Sequence, residues 1–83
     1  MADKEILQRV INVTGRVLGL DPGEIEPGAN FVFDLGAESS QSVELVMAFE
    51  AEFDIDMDQE QALAVQTVEG AADFIAEQLK NAT

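Results

Sequence analysis

The chain contains no cysteine and no histidine. The first absence removes disulfides, thiolate nucleophiles and Cys-type zinc sites, and fits a reducing compartment. The second leaves any serine without an imidazole base and rules out His-based metal sites. Bases are scarce: 4 Lys and Arg stand against 17 Asp and Glu, a net charge of -13. Phosphate backbones would repel such a surface, so nucleic acid is excluded as a partner, and anionic membranes are poor partners for the same reason. No apolar run approaches the roughly 18 residues of a membrane span. Met1–Glu5 is polar and acidic, unlike a secretion signal. The expectation is a cytoplasmic protein with no membrane insertion. There is no Gly-rich phosphate loop and no G-x-S-x-G elbow. Lys4 and Lys80 lie near the ends of the chain, away from any serine they might activate. The chain therefore reads as non-catalytic.

The remaining composition describes a small folding unit. At 83 residues, 47% of them apolar, the chain suits a single domain over 1–83 that buries roughly 60–65% of its extended surface. The excess of acid exceeds what solubility requires, and it would attract proteins bearing basic patches, steering encounter more than setting affinity.

Four helical segments are legible, so the fold class is all-α, a small four-helix bundle. The first spans about Asp3 to Leu18: Ile6, Leu7, Val10, Ile11, Val17 and Leu18 recur at helical spacing, Asp3 can cap the start and Gly19 the end. The segment Gly19 to Glu38 holds Pro22, Pro27 and four glycines, but also Leu20, Ile25, Phe31, Val32 and Leu35. A loop this long is usually functional or disordered. Its buried-type residues predict order, pinned to the core. The second helix runs from about Ser39 to Phe53, with Leu45, Val46, Phe49 and Phe53 as its core face, Val43 and Met47 at the edge, and Ser40, Glu44 and Ala51 exposed. That edge reads either as core overhang or as a docking strip. A short third helix, about Asp58 to Val65, shows a capping-box pattern of Asp58 with Gln61. The fourth runs from Thr67 to about Leu79 around Val68, Ala71, Ala72, Ile75 and Leu79, with Lys80 complementing the C-terminal dipole.

Two sites invite a chemical reading. Asp54-Ile-Asp56-Met-Asp58 resembles the opening of an EF-hand loop, but Gln59 and Val65 stand where that loop requires glycine and a bidentate glutamate. A calcium switch is excluded. Ser39 opens the second helix. An isolated serine there is usually a cap, yet Asp34-Leu35-Gly36-Ala37 offers a tight approach that would leave its hydroxyl exposed. A phosphodiester on that oxygen would lie beside the positive end of the helix dipole.

The stretch from Phe31 to Ser39, followed by Val43-Glu44-Leu45-Val46-Met47-Ala48, resembles the signature of acyl carrier proteins, and the similarity covers nearly the whole chain. The resemblance implies a four-helix carrier whose serine, here Ser39 with Glu38 beside it, receives a 4′-phosphopantetheine arm from coenzyme A through a magnesium-dependent phosphopantetheinyl transferase. The arm's thiol would carry acyl groups as thioesters to acyl-transfer and synthase enzymes of fatty acid or related lipid biosynthesis. Val43, Glu44 and Met47 match partner-contacting positions, and a monomer is expected. Val46, Phe49, Ala62, Leu63 and Ile75 are candidates to line a cargo site. The chain departs from the family where it reads Glu38-Ser39-Ser40 for the usual Asp-Ser-Leu, Gln41 and Ala51 for acids, and Phe33 for an acid. These departures suggest a specialised carrier. The alternatives are a carrier of polyketide or aminoacyl intermediates, or an unmodified acidic interaction module.

Overall fold

The computed structural model describes residues 3–81. Helix α1 spans Lys4–Leu18. Asp3 caps it, its Oδ1 accepting from the Glu5 N–H at 2.8 Å. Gly19 closes it in the left-handed region at φ 72, with its N–H on the Gly15 carbonyl. That close costs a glycine little and would strain any side chain. Val10, Ile11 and Val13 are buried on the inner face together with Thr14, whose hydroxyl donates to the Val10 carbonyl at 2.7 Å. Ile6, Leu7, Val17 and Leu18 are only half-buried around that centre.

A short 3₁₀ turn, Pro22–Glu24, interrupts the connection. Helix α2 spans Ser39–Phe53, the range its periodicity predicts, and Leu45, Val46, Phe49 and Phe53 are its buried face. Helix α3 covers Gln59–Ala64. Its Asp58 cap accepts from Glu60 and Gln61 at 2.9 and 3.3 Å. The return bond of a capping box, from Gln61 to the Asp58 backbone, is not made among the described residues. Helix α4 spans Val68–Asn81, and Thr67 caps it by accepting from the Gly70 N–H at 3.0 Å.

α1 is the spine of the bundle. It packs against both α2 and α4, and α3 packs against α2. Arg9 ties α1 to the end of α2. Its Nε donates to Glu52 Oε2 at 2.9 Å, its Nη2 to the Glu52 carbonyl at 2.7 Å, and its guanidinium lies 4.3 Å from the Phe53 ring centroid. Across the core the Phe31 and Phe49 rings meet at 6.5 Å, tilted by 51°. Among the described residues no buried side-chain nitrogen or oxygen lacks a hydrogen bond.

The long loop is ordered, as expected, but one of its expected anchors is not one. Ile25 and Phe31 are buried and Leu20 and Leu35 half-buried, whereas Val32 is 52% exposed. It lies on a tight turn whose direction carries its side chain away from the core.

Two outcomes check this architecture. Replacing Arg9 with Ala removes two charge-assisted hydrogen bonds and a cation–π contact at a half-exposed site, a loss of about 1–2 kcal/mol measurable by urea unfolding. With 17 acids against 4 bases, self-repulsion dominates the surface, so the urea midpoint should rise as salt is added. A fall with salt would contradict that balance.

Candidate functional site

The loop between α1 and α2 is stitched to the junction of α3 and α4 through its backbone. Phe31 N donates to the Gln66 carbonyl at 2.9 Å, Val68 N to Ala29 O at 3.1 Å, and Glu69 N to Pro27 O at 2.7 Å. Asn30 and Thr67 form an isolated antiparallel bridge. Asn30 also organises the turn beyond it. Its Oδ1 accepts from the N–H groups of Val32 and Phe33, both at 2.9 Å, while its own N–H donates to Asp34 Oδ2 at 2.7 Å. This reciprocal pair is the Asx-type closure that Asn and Asp favour.

Gly36 then takes φ 73, and Ala37, buried, donates its N–H to the Phe31 carbonyl at 2.8 Å. The glycine supplies the left-handed step that turns the chain outward into α2. The tight approach expected from Asp34 to Ala37 is therefore present.

Ser39 is exposed and is the first residue of α2, not its cap. The cap is Glu38, whose N–H donates to Gln41 Oε1 at 3.0 Å. The first intrahelical bond runs from Ser42 N to Glu38 O at 2.9 Å. The N–H groups of Ser39 and Ser40 thus belong to the helix's free N-terminal donors. The Ser39 hydroxyl makes no hydrogen bond with another described residue. An uncommitted alcohol beside free donors and the positive helix end suits a phosphate-linked group. Ser40 is exposed as well, so exposure alone does not select between the two.

A cavity of about 240 Å³ opens close by. It is bordered by the loop and by α2, α3 and α4. Ser42, one turn along α2 from Ser39, is part of its lining, with Leu45, Val46 and Phe49 behind it. Ala62 and Leu63 of α3 and Ala71 and Phe74 of α4 form the facing walls. Val46, Phe49, Ala62 and Leu63 thus line it as expected. Ile75 does not: it is fully buried elsewhere in the core. Spacing on α4 finds the buried stripe but cannot tell which part of it borders a void.

Sequence reasoning missed Phe31, Val32 and Phe33, which reach the cavity from the loop. The loop has no period to read. The apolar Phe33 beside Asp34 was its only signal.

Met47 is 58% exposed, Glu44 exposed and Val43 half-buried, so the three form an accessible edge on α2. Two of the three acids of the supposed EF-hand opening, Asp54 and Asp58, have structural tasks. Asp54 ends α2 in the left-handed region at φ 53, and Asp58 caps α3. Glu50 joins them by accepting from the Met57 N–H at 2.8 Å.

Asn30→Ala removes the acceptor of two turn amides. It should lower stability by about 1 kcal/mol and speed amide exchange at Val32 and Phe33 relative to Val10. Equal protection at those amides would show that the turn does not depend on Asn30.

Similarity to known proteins points the same way. Residues 8–75 match the family described as "Phosphopantetheine attachment site". The chain is 38% identical over 81 residues to the acyl carrier protein of Cyanidioschyzon merolae, covering 98% of this chain and 89% of that one. It is 44% identical over 75 residues to that of Prochlorococcus marinus (90% and 94% covered) and 45% identical over 75 residues to that of Phenylobacterium zucineum (90% and 95% covered). An exposed serine at a helix start, a neighbouring apolar cavity, and similarity along nearly the whole length agree: the chain belongs to the acyl carrier protein family, a non-catalytic carrier of acyl groups with a 4′-phosphopantetheine prosthetic group.

Proposed function

We propose that Ser39 is the residue to which the arm is attached, and that a cargo held there as a thioester folds back into the cavity behind Ser42. The observation that carries this reading is the uncommitted, exposed Ser39 hydroxyl one helical turn from the cavity lining.

When bound, the arm supplies a terminal thiol for thioester exchange. The chain's own residues do the rest. Gly36 and the Asn30 turn aim the start of α2 outward, and the free N–H groups of Ser39 and Ser40 face the position where a phosphate would lie. Glu38 holds the cap and borders the attachment oxygen. Leu45, Val46, Phe49 and Ala62 withdraw an apolar chain from water.

Val43, Glu44 and Met47 form the surface offered to partner enzymes, among them a phosphopantetheinyl transferase and acyl-transfer and synthase enzymes with basic patches. The net charge of -13 favours such encounters. The Glu38-Ser39-Ser40 sequence at that surface supports a restricted partner set, and the absence of cysteine supports a cytoplasmic setting.

The test is incubation with coenzyme A, magnesium and a phosphopantetheinyl transferase, followed by intact mass. The wild-type chain and Ser40→Ala should gain one adduct, and Ser39→Ala none. Loading of Ser39→Ala would move the site elsewhere, and no adduct on the wild-type chain would make this an unmodified interaction module. Once loaded, an apolar cargo that enters the cavity should raise the melting temperature above that of the arm alone, by linkage.

A further inference from the structure

The turn that leads into α2 holds an aromatic ring in water. Phe33 is 87% exposed and its neighbour Val32 52%. The exposure does not come from a slack backbone. Every amide from Val32 to Ala37 is hydrogen-bonded: the first two to Asn30 Oδ1, the next two to the Asn30 carbonyl, the last two to the carbonyls of Val32 and Phe31. Phe33 therefore stands on a rigid mount, six residues before Ser39. Large apolar side chains held in water mark a contact surface. An anchor whose backbone is already ordered loses little entropy when a partner covers it.

Charge narrows the choice of partner. The bases are Lys4, Arg9, Arg16 and Lys80, on α1 and at the end of α4. From Val17 to Leu79 the chain has no base and carries every acid except Asp3 and Glu5. Phe33 and Ser39 both lie in that stretch, with Asp34 and Glu38 exposed between them. Across the cavity mouth, the exposed Leu63 has Glu60 one turn before it on α3. An apolar knob among acids fits an apolar recess edged with Lys and Arg. The enzyme that loads Ser39 needs such cations, because it must hold the phosphates of coenzyme A beside the serine. A second copy of the chain, itself at charge -13, is opposed.

We propose that Phe33 is a docking anchor for the coenzyme A-bound phosphopantetheinyl transferase, seated in an apolar recess of that enzyme while the surrounding acids meet its basic edge. The proposal rests on the reading of Ser39 given above and adds a contact outside α2. The Asn30 turn and Gly36 join Phe33 to the start of α2, so the seated ring sets where the Ser39 hydroxyl arrives. Phe33 touches no reacting atom. It is a positioning residue, and it is also a specificity determinant. A carrier with an acid at this position would bring a carboxylate to the same apolar recess, and burying it there is costly.

The test measures initial rates of loading by intact mass, with coenzyme A, magnesium and the transferase of the organism that makes this chain, over a range of carrier concentrations. It compares wild type, Phe33→Ser and Phe33→Leu. Unloaded, the three should melt within a few degrees of one another, as expected of an exposed position. Phe33→Ser should raise KM for the carrier about tenfold and leave kcat nearly unchanged, the pattern of binding energy lost equally from ground and transition states. Phe33→Leu should recover most of that loss. Added salt should raise KM for all three alike, since their acids are the same.

An unchanged KM in Phe33→Ser, or a KM indifferent to salt, would overturn the proposal while leaving Ser39 as the attachment site. Failure of the wild-type chain to gain an adduct, or loading of Ser39→Ala, would strike the Ser39 reading and this inference with it. Two other results would reassign the ring and overturn the proposal. A wild-type dimer in sedimentation that Phe33→Ser dissolves would give it to a second copy. Loading kinetics equal to wild type, with the melting gain on acylation lost in Phe33→Ser, would give it to the cargo.

Discussion

Three backbone hydrogen bonds hold the geometry of this protein together: Phe31 to Gln66, Val68 to Ala29, and Glu69 to Pro27. They join the long first loop to the junction of α3 and α4, elements more than thirty positions apart in the chain. Without them the loop would be a tether of twenty residues costing conformational entropy and fixing nothing. With them, one side of the cavity, the turn at Asn30 and the start of α2 are placed by a single frame. The same stitching satisfies donors at the beginning of α4, whose first turn would otherwise need water or side chains.

A second constraint comes from α1. It packs against both α2 and α4. A chain of 83 residues has little core to give up, and a void of about 240 Å³ withholds dispersion contacts from every side chain that borders it. Such a space is a cost in the empty protein and an advantage once an apolar chain fills it. The tight contacts are placed elsewhere. Val10, Val13, Val68 and Ile75 are almost fully buried, and Arg9 fastens α1 to the end of α2. Stability thus gathers around α1, while the face containing Ser39 and the cavity is left open for function, a division common in proteins whose sites must accommodate a ligand.

Much of this was legible in the sequence, for identifiable reasons. Helical periodicity placed α2 and its buried face correctly, and Asp3, Asp58 and Thr67 act as the caps their chemistry suggested. Ser39 is exposed, but Glu38 takes the cap position assigned to a serine of this kind. Tertiary placement was not legible. Val32 has the composition of an anchor and Ile75 the spacing of a lining residue, yet one faces water and the other is enclosed in the core. Both depend on how the loop meets α3 and α4, which no local pattern records. The rim of the cavity was hidden for the same reason: Phe33 and Leu63 become neighbours of one opening only after the loop is stitched in place.

The proposed coupling of the Ser39 hydroxyl to the cavity through the arm is open to direct observation. Nuclear Overhauser contacts should be recorded from the methylene protons of an acyl group carried on the Ser39-linked arm. They should reach the side chains of Val46, Phe49 and Ala62 and be absent for Val10 and Val13, which are buried but do not line the cavity. Cargo protons that contact none of the cavity residues, in a protein shown by mass to be loaded at Ser39, would contradict it.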